Sequence, residues 1–239
     1  MDKTNILCFP FAGGNKYSFQ KFQEFVPETF EMVTYELPGR GVRQAEPLLR
    51  DMNTIVSDAL IWAVKYLDMP YVIYGHSMGG LIGYELIKKL IRESMPLPLH
   101  LFVTGCGGPG SMRKTQNYRL PKADFIAVLK ELGGVTSEIV KNEQIMDYYD
   151  PVLRADFQAI EEYGYTENPP LEIPVTCLIG SHDMVSYQEA LTWRQETNAK
   201  VDIKKIPGDH FFIEDYYEEI LNLLVMKTRR ASRTMGHFL

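Results

Sequence analysis

The segment Tyr71-Val72-Ile73-Tyr74-Gly75-His76-Ser77-Met78-Gly79-Gly80-Leu81 constrains this fold more than any other part of the chain. An apolar run suited to a buried strand leads into Gly-x-Ser-x-Gly, and an amphipathic helical pattern follows. A chain passes from strand to helix this abruptly only through a turn that strains the serine backbone. The flanking positions must therefore carry almost no side chain, and Gly75 and Gly79 meet that need. The Ser77 hydroxyl then stands clear of the sheet at a helix N-terminus, where backbone N–H groups and the helix dipole favour developing negative charge. By chance the bare pattern turns up in about one chain in fifteen of this length, given ordinary Gly and Ser frequencies. The strand before it and the helix after it make it informative, against the alternative of an inert serine in a Gly-rich turn.

The rest of the chain repeats the alternation. Runs at 6–9, 32–35, 71–74, 101–104, 175–179 and 201–206 read as strands, three of them with almost no polar residue, as strands covered on both faces require. Between them lie helical patterns. One at 54–67 places Ile55, Ala59, Trp62 and Tyr66 on one stripe; another at 81–91 ends on Lys88, Lys89 and Arg92, as a helix C-terminus favours. This rhythm predicts an α/β fold, a mostly parallel sheet with helices on both faces. The stretch 112–170 departs from it, with no clear strand and helices expected at 121–132, 137–149 and 151–163. An insertion of this length between two strands suits a helical lid; a bundle with only a packing role is the alternative. A final helix is expected over 216–226, with the basic run Lys227 to Arg233 read as a frayed terminus. With 239 residues and no repeat or linker, one domain over 1–239 is expected, with the insertion inside it.

Composition removes several classes. Lys and Arg number 25 against 31 Asp and Glu, a net charge of −6, the opposite of what a general nucleic-acid binder carries. No run approaches the ~18 apolar residues of a membrane span, and the start lacks the pattern of a secretory signal. Cys8, Cys106 and Cys177 each lie in or beside an apolar segment, so buried thiols in a reducing compartment are expected rather than disulfides. The reading is a soluble, cytoplasmic protein.

A serine hydroxyl needs a base to take its proton as it attacks. Of five histidines, His76 adjoins Ser77 on a turn that sends the two side chains apart, His100 opens a strand, His182 lies in a loop, and His237 sits in the basic tail. His210 lies in Ile206-Pro207-Gly208-Asp209-His210-Phe211-Phe212, after the last expected strand. Loops at the strand C-termini meet over one crevice, which lets His210 face Ser77. An orienting acid should follow an earlier strand, giving the order serine, acid, histidine. Asp183, just past Leu178-Ile179-Gly180, fits best; Asp209, Glu214 and Asp215 are the alternatives. Phe9-Pro10-Phe11-Ala12-Gly13-Gly14 ends the first strand with small residues, suited to one half of an oxyanion hole. The N–H of Ala12 is the first candidate and that of Phe11 the second, with the N–H of Met78 as the other half. Gly105-Cys106-Gly107-Gly108-Pro109-Gly110 reads as a loop rather than a dinucleotide site, because Pro109 and the lack of a following helix argue against the latter.

With these residues identified, the chain resembles the type II thioesterases, the free-standing editing enzymes of nonribosomal peptide and polyketide assembly lines. Besides the Gly-His-Ser-Met-Gly segment, the resemblance rests on Phe9-Pro10-Phe11-Ala12-Gly13-Gly14 and on Leu37-Pro38-Gly39-Arg40-Gly41-Val42-Arg43. It extends through Pro151-Val152-Leu153-Arg154-Ala155-Asp156-Phe157 and Gly208-Asp209-His210-Phe211-Phe212, in the family's order and over nearly the whole chain. It implies an α/β-hydrolase fold with a helical lid and hydrolysis of acyl or aminoacyl thioesters by Ser77, Asp183 and His210. The partner it implies is an acyl or peptidyl carrier protein bearing phosphopantetheine. The mechanism needs no metal or organic cofactor, and a monomer is expected. Carrier proteins of this kind are acidic, so the run Arg113, Lys114, Arg119 and Lys122 is a candidate docking patch; a solvated charge run is the alternative. The same fold also serves carboxylesterases, lipases and fatty-acyl chain-terminating thioesterases. A catalytically silent binding protein on this fold is the more distant alternative.

Overall fold

A computed structural model describes residues 3–134 and 142–235. Its centre is a six-stranded sheet of β1 (Thr4–Phe9), β2 (Phe30–Thr34), β3 (Tyr71–His76), β4 (Leu101–Thr104), β5 (Val175–Gly180) and β6 (Val201–Ile206). The strands run in the order β2-β1-β3-β4-β5-β6, and every pairing is parallel. All six expected strands are present, with ends within two residues of the sequence reading. Strands β3, β4 and β5 are buried at every position, whereas the edge strand β6 is half-exposed, which explains its more polar sequence.

The strands alternate their side chains between two apolar layers. Leu7, Phe9, Ile73, Val103 and Cys177 face the layer closed by α2 (Met52–Ala63) and α3 (Met78–Arg92). Ile6, Cys8, Val72, Tyr74 and Leu178 face the layer closed by α1 (Gln20–Gln23) and by the last helix of the chain. Helices on both faces of a parallel sheet are the α/β arrangement that the alternation of runs predicts. The order reverses between β1 and β3: the chain leaves β1 to one side, to form β2, and returns on the other side as β3. This switch point opens a crevice at the strand C-terminal ends, and both Ala12 and Ser77 lie on its rim.

Between β4 and β5 come α4 (Lys122–Glu131) and α5 (Glu143–Glu161), with no strand among the described residues there. Two separate helices were expected on either side of Pro151. The described part is one helix with Pro151 inside it, and the segment 137–141 of that expectation lies outside the described residues. The helix holds because its packed face continues across the proline, from Met146 and partly buried Tyr149 to Val152, Leu153, Ala155 and Ala159. It starts at a cap, where the Asn142 side chain accepts the Ile145 N–H. A short α6 (Tyr187–Leu191) opens with a capping box between Ser186 and Glu189.

The final helix, α7, spans Tyr217–Met235, so the basic segment after 226 continues it rather than fraying. Lys227 pairs with Asp202 on β6, and Thr228 is buried with its hydroxyl donating to the Leu224 carbonyl. Cys8, Cys106 and Cys177 are buried free thiols. Among the described residues no helix is long and apolar enough to cross a membrane.

Candidate active site

Ser77 occupies the sharp bend between β3 and α3 with φ 53° and ψ −118°, a conformation costing a non-glycine residue about 1–3 kcal/mol. Its N–H donates to the Thr104 carbonyl at 2.8 Å, which ties the bend to the neighbouring strand. The bend is possible only because α3 starts against bare backbone: a β-carbon on Gly79 would lie 1.8 Å from the Phe9 carbonyl oxygen.

Two loops bring the partners of Ser77 together. After β5 the chain turns through Asp183; after β6 it turns through His210. The Ser181 N–H donates to the Ile206 carbonyl and the His182 N–H to that of Gly208, stitching the loops to each other. Gly180 permits this contact, since a β-carbon there would lie 2.2 Å from the Asp209 carbonyl oxygen. The outcome is a continuous line of side chains. Ser77 Oγ lies 2.9 Å from His210 Nε2, and His210 Nδ1 lies 2.8 Å from Asp183 Oδ1. The Asp183 side chain is wholly buried, and its Oδ1 also accepts the Val185 N–H, which fixes the carboxylate's direction. An acceptor on Nδ1 selects the tautomer that leaves Nε2 free to take a proton from Ser77.

The other titratable groups weighed for these roles lie elsewhere. His76 points under the sheet ends, buried, with Nδ1 3.0 Å from Thr104 Oγ1 and its ring 5.1 Å from that of His210. Burial, then the nearby His210 charge, holds its pKa well below the ordinary histidine value, so it places no permanent cation beside His210. His100 stacks on Phe102 and hydrogen-bonds Thr176, His182 is exposed beside Ser181, and His237 lies outside the described residues. Asp209 turns back to accept the Phe211 N–H. Glu214 and Asp215 remain exposed ahead of α7.

Above this line a cavity of about 410 Å³ opens beneath the inserted helices, with Ser77 and His210 on its wall. Phe11, Ala12 and Met78 border it as well, and the N–H groups of Ala12 and Met78 have no hydrogen-bond partner among the described residues. Much of the wall is apolar, supplied by Leu81, Leu153, Phe157 and Ile160. Buried Glu161 is a polar part of that wall and accepts the Thr115 hydroxyl at 2.5 Å and the Tyr118 N–H at 3.1 Å. Cys106 lies on the cavity too, its thiol pushed up to about 12 mainly by burial, which leaves it a neutral lining group. Among the described residues no cluster of three or more His, Cys, Asp or Glu side chains could hold a metal ion.

The basic run ahead of α4 is less positive than its sequence suggests. Arg113 pairs with Glu189, Arg119 with Glu162 and Lys122 with Asp147; Lys114 has no ion pair among the described residues.

One pair of residues received no role from the sequence. Arg40 and Asp156 form a buried, bidentate ion pair, with Nη1 2.6 Å from Oδ2 and Nη2 2.7 Å from Oδ1. The available signal was a polar residue on an apolar stripe: Asp156 shares the buried face of α5 with Val152, Leu153, Ala155 and Ala159.

Comparison with known proteins agrees with this architecture. A family model described as "Thioesterase domain" matches residues 4–227, and the chain belongs to the thioesterase family. The gramicidin S biosynthesis protein GrsT of Aneurinibacillus migulanus is 33% identical over 229 residues, covering 95% of this chain and 90% of that protein. Among solved structures, the RedJ thioesterase from the prodiginine biosynthetic pathway in Streptomyces coelicolor superposes with a TM-score of 0.88 at 30% identity, covering 95% of this chain and 90% of that one. YbtT, the type II thioesterase from the yersiniabactin NRPS/PKS pathway, superposes with a TM-score of 0.87 at 29% identity, covering 96% and 94%. The resemblance to type II thioesterases drawn from short motifs thus extends over the whole fold.

Proposed function

We propose that this chain is a serine thioesterase that removes acyl and aminoacyl groups from the phosphopantetheine arm of carrier proteins, clearing stalled groups from a nonribosomal peptide or polyketide assembly line. The observation that carries this reading is the Ser77–His210–Asp183 line opening onto an apolar cavity, in a chain of the thioesterase family.

In this mechanism His210 Nε2 takes the Ser77 proton as Oγ attacks the thioester carbonyl. Asp183 holds the imidazole tautomer and stabilises the imidazolium without taking the proton itself. The N–H groups of Ala12 and Met78 receive the oxyanion, with Phe11 as the second candidate donor on the first loop. The tetrahedral intermediate collapses, the C–S bond breaks, and His210 gives its proton to the departing pantetheine thiolate. Water, deprotonated by His210, then attacks the acyl–Ser77 ester; the acyl C–Oγ bond breaks, His210 returns the proton to Ser77 Oγ, and the carboxylic acid leaves. The neutral His76 ring beside His210 adds no charge that would oppose the imidazolium.

The segment 112–170 acts as the lid of a single domain, and the acyl group lies along α5. From Leu153 to Glu161 that helix offers a wall of roughly 12 Å, which suits a short to medium apolar chain. Docking of the acidic carrier falls to the basic run, with Lys114 as its unpaired cation among the described residues and Arg113, Arg119 and Lys122 free to exchange partners. The protein works as a cytoplasmic monomer without a cofactor.

The test compares hydrolysis of an acyl group on a phosphopantetheinylated carrier protein with that of the matched oxygen ester and a matched small thioester. The carrier thioester should be favoured over the oxygen ester, and Ser77→Ala should abolish turnover of both. Preference for the oxygen ester would make the chain an esterase, and a fully active Ser77→Ala variant would remove Ser77 from the mechanism.

A further inference from the structure

The Arg40–Asp156 pair is an uneconomical way to stabilise a fold: a buried ion pair is desolvated, and apolar residues of similar volume often do as well or better. What distinguishes this pair is what else it holds. Asp156 Oδ2 also accepts the Gly13 N–H at 2.7 Å, and Arg40 Nη1 donates to the Gly14 carbonyl at 3.2 Å. Both contacts fall on the two residues that follow Ala12.

The geometry of that loop gives the contacts a consequence. The Gly14 N–H donates to the Phe11 carbonyl at 2.8 Å, closing a four-residue turn with Ala12 and Gly13 at its centre. Gly13 has φ +79° and Ala12 has no positive φ, the signature of a type II turn. Type I and type II turns differ by a flip of the central peptide, here the unit joining Ala12 to Gly13. The N–H of that unit is the one Asp156 holds. Leu153, one turn earlier on α5, closes over the same spot, since a β-carbon on Gly13 would lie 2.6 Å from its Cδ2.

We infer that Asp156, oriented by Arg40, is a positioning residue: it holds the Ala12–Gly13 peptide in its type II orientation, anchors the loop that presents the Ala12 N–H at the cavity edge, and makes an ordered oxyanion loop depend on the seating of α5. This rests on the reading of Ala12 as an oxyanion donor.

The test uses Asp156→Asn and Asp156→Ala in the full chain, with active sites counted by end-point titration with a fluorophosphonate. Per titrated site, kcat should fall about 10²–10³-fold, the usual effect of losing one oxyanion donor, with KM within about threefold. Affinity for an alkyl trifluoromethyl ketone, whose tetrahedral adduct on serine carries an oxyanion, should fall in parallel. A folded variant with unchanged per-site kcat, or one whose ketone affinity is unchanged, overturns the inference. Should a single substitution fail to fold because it leaves Arg40 buried alone, the pair Arg40→Met with Asp156→Leu removes both charges and still strips Gly13 of its acceptor. The same loss of kcat is expected there, and full activity refutes the proposal. Ser77→Ala, assayed alongside, separates the outcomes: if it stays active the nucleophile reading itself has failed, and if it is inactive while Asp156→Asn matches wild type only the positioning role has.

Discussion

Gly79 lies so close to Phe9 that a β-carbon on it would reach within 1.8 Å of the Phe9 carbonyl oxygen. The first turn of α3 is therefore seated directly on the end of β1, and this contact sets the distance between the loop carrying Ala12 and the bend carrying Ser77. Gly79→Ala should force the two apart, costing about 3 kcal/mol or more. Gly80→Ala, whose β-carbon would meet only side chains, Cys106 at 3.0 Å and Val103 at 3.2 Å, should cost less. Urea midpoints check both, and equal midpoints for the two variants would contradict the geometry.

Asp183 acts on His210 through one hydrogen bond to Nδ1. Asp183→Asn keeps the shape but offers an amide that can donate, which favours the tautomer with its proton on Nε2. Turnover should drop by about 10³–10⁴-fold with little change in KM. Steady-state kinetics on a small thioester decide it, and an Asn variant near wild-type rate would assign the orienting role elsewhere.

His100 is buried between Phe102 and Thr176, and burial lowers its pKa to about 3. Its folded-state pKa lies below the unfolded value near 6.5, so the unfolded chain binds the proton first and stability rises with pH. The contribution is fully present above about pH 6.5 and is lost as pH falls from there toward 3. Between pH 6.5 and 5 this residue should cost about 1–2 kcal/mol of stability. His76, also held neutral by burial, acts in the same direction. In His100→Phe the slope of the denaturation midpoint against pH should flatten over this range, and an unchanged slope would show that His100 is not the group responsible.

If the carrier docks on the basic run, Lys114→Glu should raise KM for carrier-bound substrate several-fold and leave that for a small thioester alone. The difference should shrink at high salt, because exposed charges are screened. Equal effects on both substrates would defeat the docking proposal.

The sheet was legible in the sequence because its inner strands are covered on both faces, so runs such as Val72-Ile73-Tyr74 carry no competing polar pattern. The Gly-x-Ser-x-Gly bend was legible because steric demands at Gly75 and Gly79 leave a local signature. The approach of His210 and Asp183 to Ser77 was foreshadowed, among several candidate histidines and acids, because parallel strands deliver their following loops to one end of the sheet. Pairings between distant residues left no such trace. Arg40 and Asp156 stand 116 positions apart, and the acids that neutralise Arg113, Arg119 and Lys122 come from α5, α6 and the segments around them. Pro151 was read as a break because the proline rule is local, whereas the apolar face that carries α5 through it is a property of tertiary packing. The buried Thr228 hid the length of α7 for the same reason: its hydroxyl is satisfied within the helix, which a polar letter in a basic run does not reveal.

The most direct measurement is the intact mass of the enzyme quenched during turnover of an acyl-carrier substrate, followed by peptide mapping. A covalent acyl-enzyme should appear with the mass of the acyl group on the peptide containing Ser77, and should be missing in Ser77→Ala. Acylation at another residue, or steady hydrolysis by a folded Ser77→Ala variant, would contradict the account.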